Sequence, residues 1–388
     1  MARWIPALCL IVSLICQSTF AGEVTLEQSP NSVCIRIDGE IFTVLHHSHD
    51  WKKPFFSPVT AAGGIEQLAQ DVLEPSGELG LAGSRVIVCR EDAEMRVFGV
   101  STGTLKLDEV LDVRTVQRPW LWVPEKNGWV HERDVAPLGS TVTRVIQTAP
   151  TEGLNKDHPL YYDHPHHKGI WFSLDELNEL NYWAEKAIIR NVSVTINEVK
   201  GESASLTLVN HWLDADESPL LKETTHVRIF ADRTMVFDYD LAALDKPVTF
   251  HDTKEGLFGI RLPNSMRETH GGGPVENANG LKTTANCWGQ TSPWVDYAGP
   301  VGKRKLAVTI FDHPGTFKKS RYHVRDYGLF SVNPFGDKAY TNGVEPEAPL
   351  TIEPGQSISL RYGIHIRDYA GDTKAAAEAY QRYLAVPR

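Results

Sequence analysis

Hydrophobic and polar residues alternate in short runs along most of this chain. Residues 33–37 and 41–45 form two such runs around Asp38-Gly39, a dipeptide typical of tight hairpin turns. A second hairpin is predicted at Ala231-Asp232-Arg233, and further runs follow at the spacing expected of a β-sandwich or barrel. The pattern therefore predicts a mainly antiparallel β protein.

Two stretches have a helical pattern. Residues 175–183 predict a short helix or a loop. Residues 372–384 predict a C-terminal helix with Asp372 or Thr373 as its N-cap. The apolar stripe of this second helix consists of Ala376, Ala377, Tyr380 and Leu384. Strands and helices do not alternate regularly, which argues against a doubly wound fold.

The pattern of apolar and polar residues changes near residue 75. Trp120 and Trp122, a polar turn, Trp129 and a closing Asp134-Val135 resemble the pattern of bacterial Src-homology-3-like barrels. We therefore predict an inserted barrel at 76–140, which divides a β-sandwich domain into 22–75 and 141–388. The three tryptophans either bind peptide or glycan on the surface of the barrel or fill its small core.

The first 21 residues read as a secretory signal peptide. Arg3 supplies the positive start, an apolar run follows, and Ala21 ends a small-residue cleavage site. No later segment is apolar enough to span a bilayer, so we expect a secreted or periplasmic protein. Three cysteines, Cys34, Cys89 and Cys287, remain after cleavage. This odd number at wide spacing is no disulfide framework, although it allows one bridge.

Composition limits the classes of partner. The net charge is -10 and charged residues make up 23% of the chain. An acidic surface disfavours nucleic acid and anionic lipid as partners. Walker loops, dinucleotide fingerprints and nucleophile elbows are missing from the sequence, so the chemistry must come from other motifs.

A histidine cluster is the strongest candidate for chemistry. His164, His166 and His167 lie behind an aspartate and around Pro165, and Lys168 follows them. In an extended chain His164 and His166 would face one way and His167 the other. Imidazoles near neutral pKa transfer protons, bind hydroxyls or ligate metals. We expect no resident cofactor. If these histidines bind a metal, the ligand set could be completed by His46, His47, His49, His251-Asp252 or Asp312-His313.

Two later motifs carry further polar groups. Glu255 and Arg261 lie on one predicted strand, where a carboxylate beside an arginine can act as a base or grip hydroxyls. His323 and Arg325 share a strand face in the next motif, which continues through Asp326. The alternative for the first of these motifs is a solvated turn that carries surface charges.

Three motifs in order carry a family resemblance: residues 164–172, 255–261 and 325–336. Together they resemble an uncharacterised bacterial family labelled "methane oxygenase PmoA", over roughly residues 24–70 and 150–370. The resemblance implies a secreted, β-rich protein of carbohydrate-degrading bacteria. It also implies a fold similar to the galactose-mutarotase supersandwich, on which enzymes often pair a histidine with a carboxylate at a sugar ring.

The leading hypothesis is a carbohydrate-active hydrolase, lyase or epimerase. His166 or His167 would act as acid or base with Glu255 or Asp326 as partner. The predicted substrate-binding residues are His164, Lys168, Trp171, Arg261, His313, His323, Arg325 and Asn333. Two carboxylates across a cleft would favour hydrolysis, and a lone His–Glu pair would favour epimerisation or elimination. The alternatives are a non-catalytic glycan- or cell-wall-binding protein and a metal-dependent oxidoreductase.

Overall fold

The structure is a computed structural model that describes three parts of the chain. These are residues 22–63, residues 84–138 except 89, 91, 98–99, 108 and 118–119, and residues 164–388 except 165 and 302–303. The predicted signal peptide, Cys89 and the ends of the predicted insertion lie outside the described residues.

Strands dominate all three parts. Residues 22–63 contain β1 (Val24–Gln28), β2 (Ser32–Ile37), β3 (Glu40–His46) and β4 (Phe55–Val59). Residues 84–138 contain β5 (Ser84–Val88), β6 (Glu94–Val97), β7 (Val100–Thr104), β8 (Val110–Val113), β9 (Thr115–Gln117), β10 (Trp120–Val123), β11 (Gly128–His131) and β12 (Val135–Leu138).

The last part is the longest. Its strands are β13 (Ile170–Leu174), β14 (Ile189–Lys200), β15 (Ser203–Leu213), β16 (Pro219–Phe230), β17 (Thr234–Ala243), β18 (Val248–Phe250), β19 (Gly256–Arg261), β20 (Val275–Asn277), β21 (Trp294–Val301), β22 (Arg304–Asp312), β23 (Arg321–Val324), β24 (Leu329–Asn333), β25 (Leu350–Ile352) and β26 (Ser357–Asp368). The helices are α1 (Thr284–Cys287), α2 (Asp337–Tyr340) and α3 (Lys374–Ala385), and 3-10 turns lie at Pro124–Lys126, Glu132–Asp134, Asn264–Met266 and Glu268–His270.

Two eight-stranded antiparallel sheets form the main body. The first sheet has the order β1-β2-β3-β4-β13-β19-β24-β23, and the second has the order β14-β15-β16-β17-β26-β22-β21-β20. The N-terminal strands therefore belong to the same sheet as strands from beyond residue 170. The predicted fold class, mainly antiparallel β with a large sandwich, is confirmed.

Aromatic side chains join the inner faces of the two sheets. Phe172 of the first sheet stacks on Tyr239 of the second at 3.8 Å between ring centroids. Phe56 meets Phe237 edge to face at 5.7 Å. Both pairs belong to one continuous buried cluster, so the space between the sheets is the core that fixes the first sheet in place.

The two predicted hairpin turns are present. Asp38 and Gly39 connect β2 to β3 with φ of 53° and 79°. A residue pair with positive φ at both positions twists in the sense that a hairpin needs, which explains the Asp-Gly dipeptide. Residues 231–233 connect β16 to β17 as predicted.

Residues 84–138 fold around a separate hydrophobic cluster. Their strands form a five-stranded sheet, β7-β6-β11-β10-β9, and a three-stranded sheet, β12-β5-β8. Both are open sheets in the described residues, where the sequence predicted a small barrel. Leu121, Val123 and Val130 belong to the buried cluster of this unit.

The tryptophans of this unit lie on the opposite side from its core. Trp120, Trp122 and Trp129 are half-buried, and they alternate with the buried residues of β10 and β11. Trp122 and Trp129 are directly opposite each other, with ring centroids 5.2 Å apart. The interpretation that these rings fill the core is wrong, because strand alternation places them on the other face.

The C-terminal helix is present, and the segment 175–183 is a loop. Asp372 accepts a hydrogen bond from the backbone of Lys374 at 3.0 Å, as a residue near the helix start should. The buried stripe of α3 consists of Ala376, Ala379 and Tyr383, and Ala377 is exposed. The buried stripe is thus rotated around the helix relative to the predicted stripe. The reason is that the helix packs against the second sheet through the contact between Tyr383 and Phe311.

Candidate functional site

The outer face of the first sheet carries buried aromatic and charged side chains. Along β13 Phe172 faces the core, so Trp171 faces outward, and its neighbour in β19 is Gly259. Trp171 packs with Phe55, Trp183 and Leu329 in a small cluster on this side. Few antiparallel sheets bury both faces, and the loops around residues 46–54, 164–168 and 181–186 supply the cover here.

A glycine sets the position of the histidine cluster. Gly169 has φ of +52°, and a Cβ atom at this position would lie 1.9 Å from the backbone oxygen of Phe56. Only glycine fits so close a contact between the chain and β4. The glycine in this motif is therefore explained by the backbone packing that presents His164–Lys168 to the sheet face.

Four rings stack in one column at this site. Tyr327 stacks on His164 at 5.2 Å, His164 on His167 at 4.7 Å, and His167 on Trp171 at 5.1 Å, with interplanar angles of 4°, 3° and 15°. The prediction that His164 and His167 face opposite ways is wrong. The backbone N–H of His167 donates to the carbonyl of His164 at 3.0 Å, which makes a turn instead of an extended chain.

Arg261 fixes the tautomer of His167. Its Nη1 donates to Nδ1 of His167 at 3.0 Å and lies 3.5 Å from Nδ1 of His164. Because Nδ1 of His167 accepts, the ring proton of the neutral imidazole is on Nε2. Burial lowers the pKa of His167 well below its ordinary value, and His166 and Arg261 add to the effect. His167 is thus a neutral imidazole that carries its proton on Nε2, and this N–H group is buried without a hydrogen-bond partner among the described residues.

Two lysines and one glutamate lie beneath the cluster. The Lys53 ammonium donates to the carbonyls of His166 at 2.8 Å and Trp183 at 3.1 Å, and it lies 3.4 Å from Glu185. Lys168 contacts the other oxygen of Glu185 at 2.5 Å. Burial lowers the pKa of Lys53 to about 8, against the pull of Glu185. Sequence reasoning missed Lys53 and Glu185, since neither lies in a motif with other polar groups.

His166 is half-buried beside these cations. Burial lowers the pKa of His166 to about 3, and the charge of Lys53 is the next cause. A neutral imidazole can accept or donate a hydrogen bond but is a weak base at this pKa. Lys53 binds the backbone carbonyl of His166, so this hydrogen bond does not fix the orientation of the imidazole ring.

Glu255 lies next to His323 at the other end of the site. The two side chains are 3.9 Å apart between Oε2 and Nδ1. Nδ1 of His323 donates to the carbonyl of Lys254 at 2.9 Å, which also accepts from the hydroxyl of Tyr340 at 2.8 Å. The ring of His323 therefore carries its proton on Nδ1, and its Nε2 lone pair is buried without a partner among the described residues.

The electrostatics of this pair favour a neutral imidazole and a carboxyl that holds its proton longer than usual. Burial lowers the pKa of His323 to about 3, and Arg325 adds to the shift. Burial raises the pKa of Glu255, while Lys254, His164 and Arg325 act in the opposite direction. The side chain of Glu255 is 30% exposed, so it is open to a ligand.

Two guanidinium groups lie over Tyr327. The Arg261 and Arg325 guanidinium carbons are 5.1 Å and 5.4 Å from its ring centroid. Arg325 lies directly after the end of β23, and its backbone N–H donates to the carbonyl of Leu329 at 2.8 Å. A planar cation beside an aromatic ring and a carboxyl is a mixture that can bind hydroxyl or carboxylate groups.

Three of the predicted site residues serve elsewhere or act as support. His313 packs against Tyr383 of α3 at 5.6 Å, next to the outer face of the second sheet. The amide of Asn333 donates to the carbonyl of Thr253 at 2.8 Å and accepts from Phe335 at 3.0 Å, so it supports the loop before Glu255. Asp326 is exposed, and its carboxylate makes no contact with the imidazoles or with Glu255 among the described residues.

The histidines that were candidates for a metal set are engaged separately. His46 donates to the carbonyl of Ser57 at 2.8 Å, and His49 donates to that of Asn191 at 2.8 Å. Asp252 accepts from the backbone of Lys338 and Ala339 at the start of α2. Within the part of the chain that the structure describes, no three His, Cys, Asp or Glu side chains are arranged to hold a metal ion.

Comparison with known proteins gives a family. Residues 135–381 match the sequence profile of a family of unknown function, DUF6807. The chain belongs to the DUF6807 family. No curated protein sequence matches this DUF6807 protein.

Solved structures give distant similarities to this DUF6807 protein. The galactose 1-epimerase from Lactobacillus acidophilus NCFM is 7% identical, with a TM-score of 0.33, over 89% of this chain and 98% of that one. The Slr1438 protein from Synechocystis sp. PCC 6803 is 12% identical, with a TM-score of 0.26, over 49% and 68% of the two chains. An aldose epimerase homologue from C. elegans is 8% identical, with a TM-score of 0.25, over 90% and 99%.

Among the described residues, no helix combines the length and the apolar character that crossing a bilayer requires.

Proposed function

We propose that this protein is a carbohydrate-active enzyme whose proton chemistry depends on Glu255. The observation that carries the proposal is the pairing of a half-buried carboxyl with a buried, neutral His323 on a sheet face rich in aromatic rings. Unpartnered ring nitrogens in a buried position are typical of a site that binds a ligand. Sugars need this mixture, with polar groups for hydroxyls and rings for the apolar face of the pyranose.

The roles follow from protonation. Glu255 takes or gives the proton, since burial raises its pKa toward neutrality. His323 positions Glu255, because its Nδ1–H holds the carbonyl of the preceding Lys254. The sequence suggested His166 or His167 as the acid or base. We assign them to binding instead, since His167 is locked by Arg261 and His166 has a pKa of about 3.

Arg325 and His164 complete the proposed binding surface. Both lie within electrostatic reach of Glu255 and lower its pKa slightly against the effect of burial. The guanidinium of Arg325 would bind sugar hydroxyls while Tyr327 stacks below it.

The test is a panel of neutral and acidic polysaccharides and free sugars with the purified protein. Reducing ends report hydrolysis, absorbance of an unsaturated product reports elimination, and NMR of anomeric protons reports epimerisation. Glu255→Gln should lower kcat by about 10²–10⁴, the usual contribution of a general acid or base. Glu217→Gln, at an exposed residue outside the site, should leave kcat unchanged. Turnover that survives in Glu255→Gln would remove Glu255 from the mechanism.

A non-catalytic glycan-binding role is the second candidate. The observation that favours it is the half-buried row of Trp120, Trp122 and Trp129 on the face of the small unit opposite its core. Binding of a labelled glycan that is lost in Trp122→Ala, without any turnover, would support this alternative. In either case we propose that the protein is exported through residues 1–21, and N-terminal sequencing of the mature protein tests this.

A further inference from the structure

A second carboxyl group lies directly across the strand pair from Glu255. Strand β13 ends at Leu174, which is paired with Gly256, the first residue of β19. The next opposite pair is therefore Asp175 and Glu255, and the backbone N–H of Asp175 donates to the carbonyl of Glu255 at 3.0 Å. The Cβ atoms of residues directly opposite each other in antiparallel strands are about 4.5–5.5 Å apart, and they share one face of the sheet.

The shared face is the outer face of the first sheet. Asp175 continues the row of outward residues that begins at Trp171, because side chains two apart along a strand lie on the same side. Two carboxyl groups directly opposite each other repel when both are ionised. A purely structural pair would more commonly combine opposite charges at these positions.

Asp175 also lines a cavity large enough for a sugar. This cavity has a volume of about 500 Å³, and its walls include Asp175, Glu176, Glu179, Asn181 and Lys186. Ligand sites typically have volumes of roughly 300–1,000 Å³. A second sign of a ligand site lies on the Glu255 side of the pair, outside this wall. There Nε2 of His323, whose ring lies beside Glu255, is buried without a hydrogen-bond partner among the described residues.

Burial raises the pKa of both carboxyls, but the charges that surround them differ. Burial raises the pKa of Asp175 to about 6, and the negative charges of Glu176 and Glu255 add to this, while Lys186 and Lys254 oppose it. Glu255 is stabilised as an anion by Lys254, His164 and Arg325, which partly offset its burial. Pairs of titratable groups whose environments separate their pKa values mark an acid and its partner base.

We propose that Asp175 is the proton donor of the site, that Glu255 is the proton acceptor, and that the cavity beside Asp175 receives the sugar. In one turnover the Asp175 carboxyl gives its proton to an oxygen of the sugar, and the Glu255 carboxylate takes one proton from the substrate. The total number of protons on the enzyme is unchanged, and exchange with water restores the starting state. This assignment rests on the proposed function, and it adds a residue that no sequence motif indicated.

The activity test uses the full-length mature protein and the substrate found with the panel. Asp175→Asn should lower kcat by about 10²-fold or more, while Glu217→Gln, at an exposed residue outside this cavity, should leave kcat unchanged. The wild-type kcat should fall as the pH rises above about 6, where Asp175 loses its proton. An Asp175→Asn variant that retains more than a third of wild-type kcat, with the same pH profile, overturns the assignment.

A second measurement does not need a substrate. NMR of protein labelled with ¹³C at the aspartate carboxyls gives the titration of Asp175, which is assigned as the signal missing from Asp175→Asn. We expect a midpoint near pH 6 that shifts to lower pH in Glu255→Gln, because the variant removes one of the negative charges. A midpoint below pH 5, or one that Glu255→Gln leaves unmoved, overturns the proposal.

The two proposals fail in different ways. If no panel glycan is turned over by the wild type, the proposed function fails and the donor role fails with it. If the wild type is active and Glu255→Gln is inactive but Asp175→Asn is not, only the assignment of Asp175 fails.

Discussion

Glu185 offers the sharpest test of the electrostatics beneath the site. It is the one described carboxylate that contacts both Lys53 and Lys168, whose side chains are 1% and 3% exposed. Burial alone would raise the pKa of Glu185, but the two ammonium groups outweigh it and hold that pKa below its ordinary value. In Glu185→Gln two buried cations lose their shared counter-charge.

The expected magnitude follows from buried ion pairs in general. Removal of one partner from a buried pair costs about 3–5 kcal/mol, since the other charge remains desolvated. We expect a loss of this size in the free energy of unfolding of Glu185→Gln at pH 7, measured by urea denaturation. Part of the lost free energy of unfolding should return in the double variant Glu185→Gln/Lys168→Met, which removes one of the two buried, uncompensated ammonium groups.

The pH dependence of this loss has a definite sign. The pKa of Lys53 is about 8 in the folded protein, below its ordinary value of 10.5, so the unfolded chain binds more protons between these pH values. Stability contributed by Lys53 therefore rises with pH across this window. In Glu185→Gln the folded pKa of Lys53 should be lower still, so the deficit of the variant should shrink as the pH rises through about 8.

A matched control separates this effect from the general loss of a surface charge. Glu217 pairs with Arg190 at 3.2 Å, but the two side chains are 60% and 37% exposed. Glu217→Gln should change the free energy of unfolding by less than about 1 kcal/mol, as exposed ion pairs do. A Glu185→Gln variant that is no less stable than Glu217→Gln would refute the reasoning about the buried lysines.

Three further predictions concern stability, each measured as the free energy of unfolding. Gly169→Ala should cost more than about 2 kcal/mol, because its Cβ would meet the Phe56 carbonyl at 1.9 Å. The control is Gly201→Ala, which has a similar φ of +51° and no atom within 4 Å of the new Cβ. This variant should cost about 1 kcal/mol. Leu121→Ala should destabilise the small unit by about 2–5 kcal/mol and Trp122→Ala by less; the reverse order would contradict the described faces of β10. Asp312 has a pKa raised by burial to about 7, so it contributes stability at low pH that is lost as the pH rises from about 4 to 7. The difference in stability between wild type and Asp312→Asn should change across that pH range, and a constant difference would contradict the assignment.

The sequence predicted the fold class because alternation, hairpin dipeptides and the absence of strand–helix repeats are local signals. The turns at Asp38-Gly39 and 231–233 and the helix near residue 374 follow from such signals. The rotation of the α3 stripe does not, since it depends on which face meets Phe311 of a distant strand. The sheet face on which the site tryptophans and histidines lie likewise depends on neighbouring strands that a local sequence pattern does not identify.

The site was predicted where its residues lie in dense motifs. The grouping of His323 with Glu255 could not be predicted, because it is formed by strands β19 and β23 on either side of β24. Lys53, Glu185 and Asp175 each lie beside another charged loop residue, so only the pairing of strands and the depth of burial distinguish them. Asp175 was assigned to a short helix or loop with no chemistry, since its partner is 80 residues away in the chain.

The pairing of β4 with β13 has a consequence for synthesis of the chain. Phe55 is paired with Trp171 across the sheet, and the ribosome synthesises the whole small unit after Phe55 and before Trp171. At a translation rate of about 5–20 residues per second, β4 waits for roughly 6–23 s before its partner leaves the ribosome. During that interval its edge is open to any other extended chain. A chaperone that covers nascent β-edges would therefore be expected to raise the yield of this protein, and shortening the intervening segment should reduce the need for it.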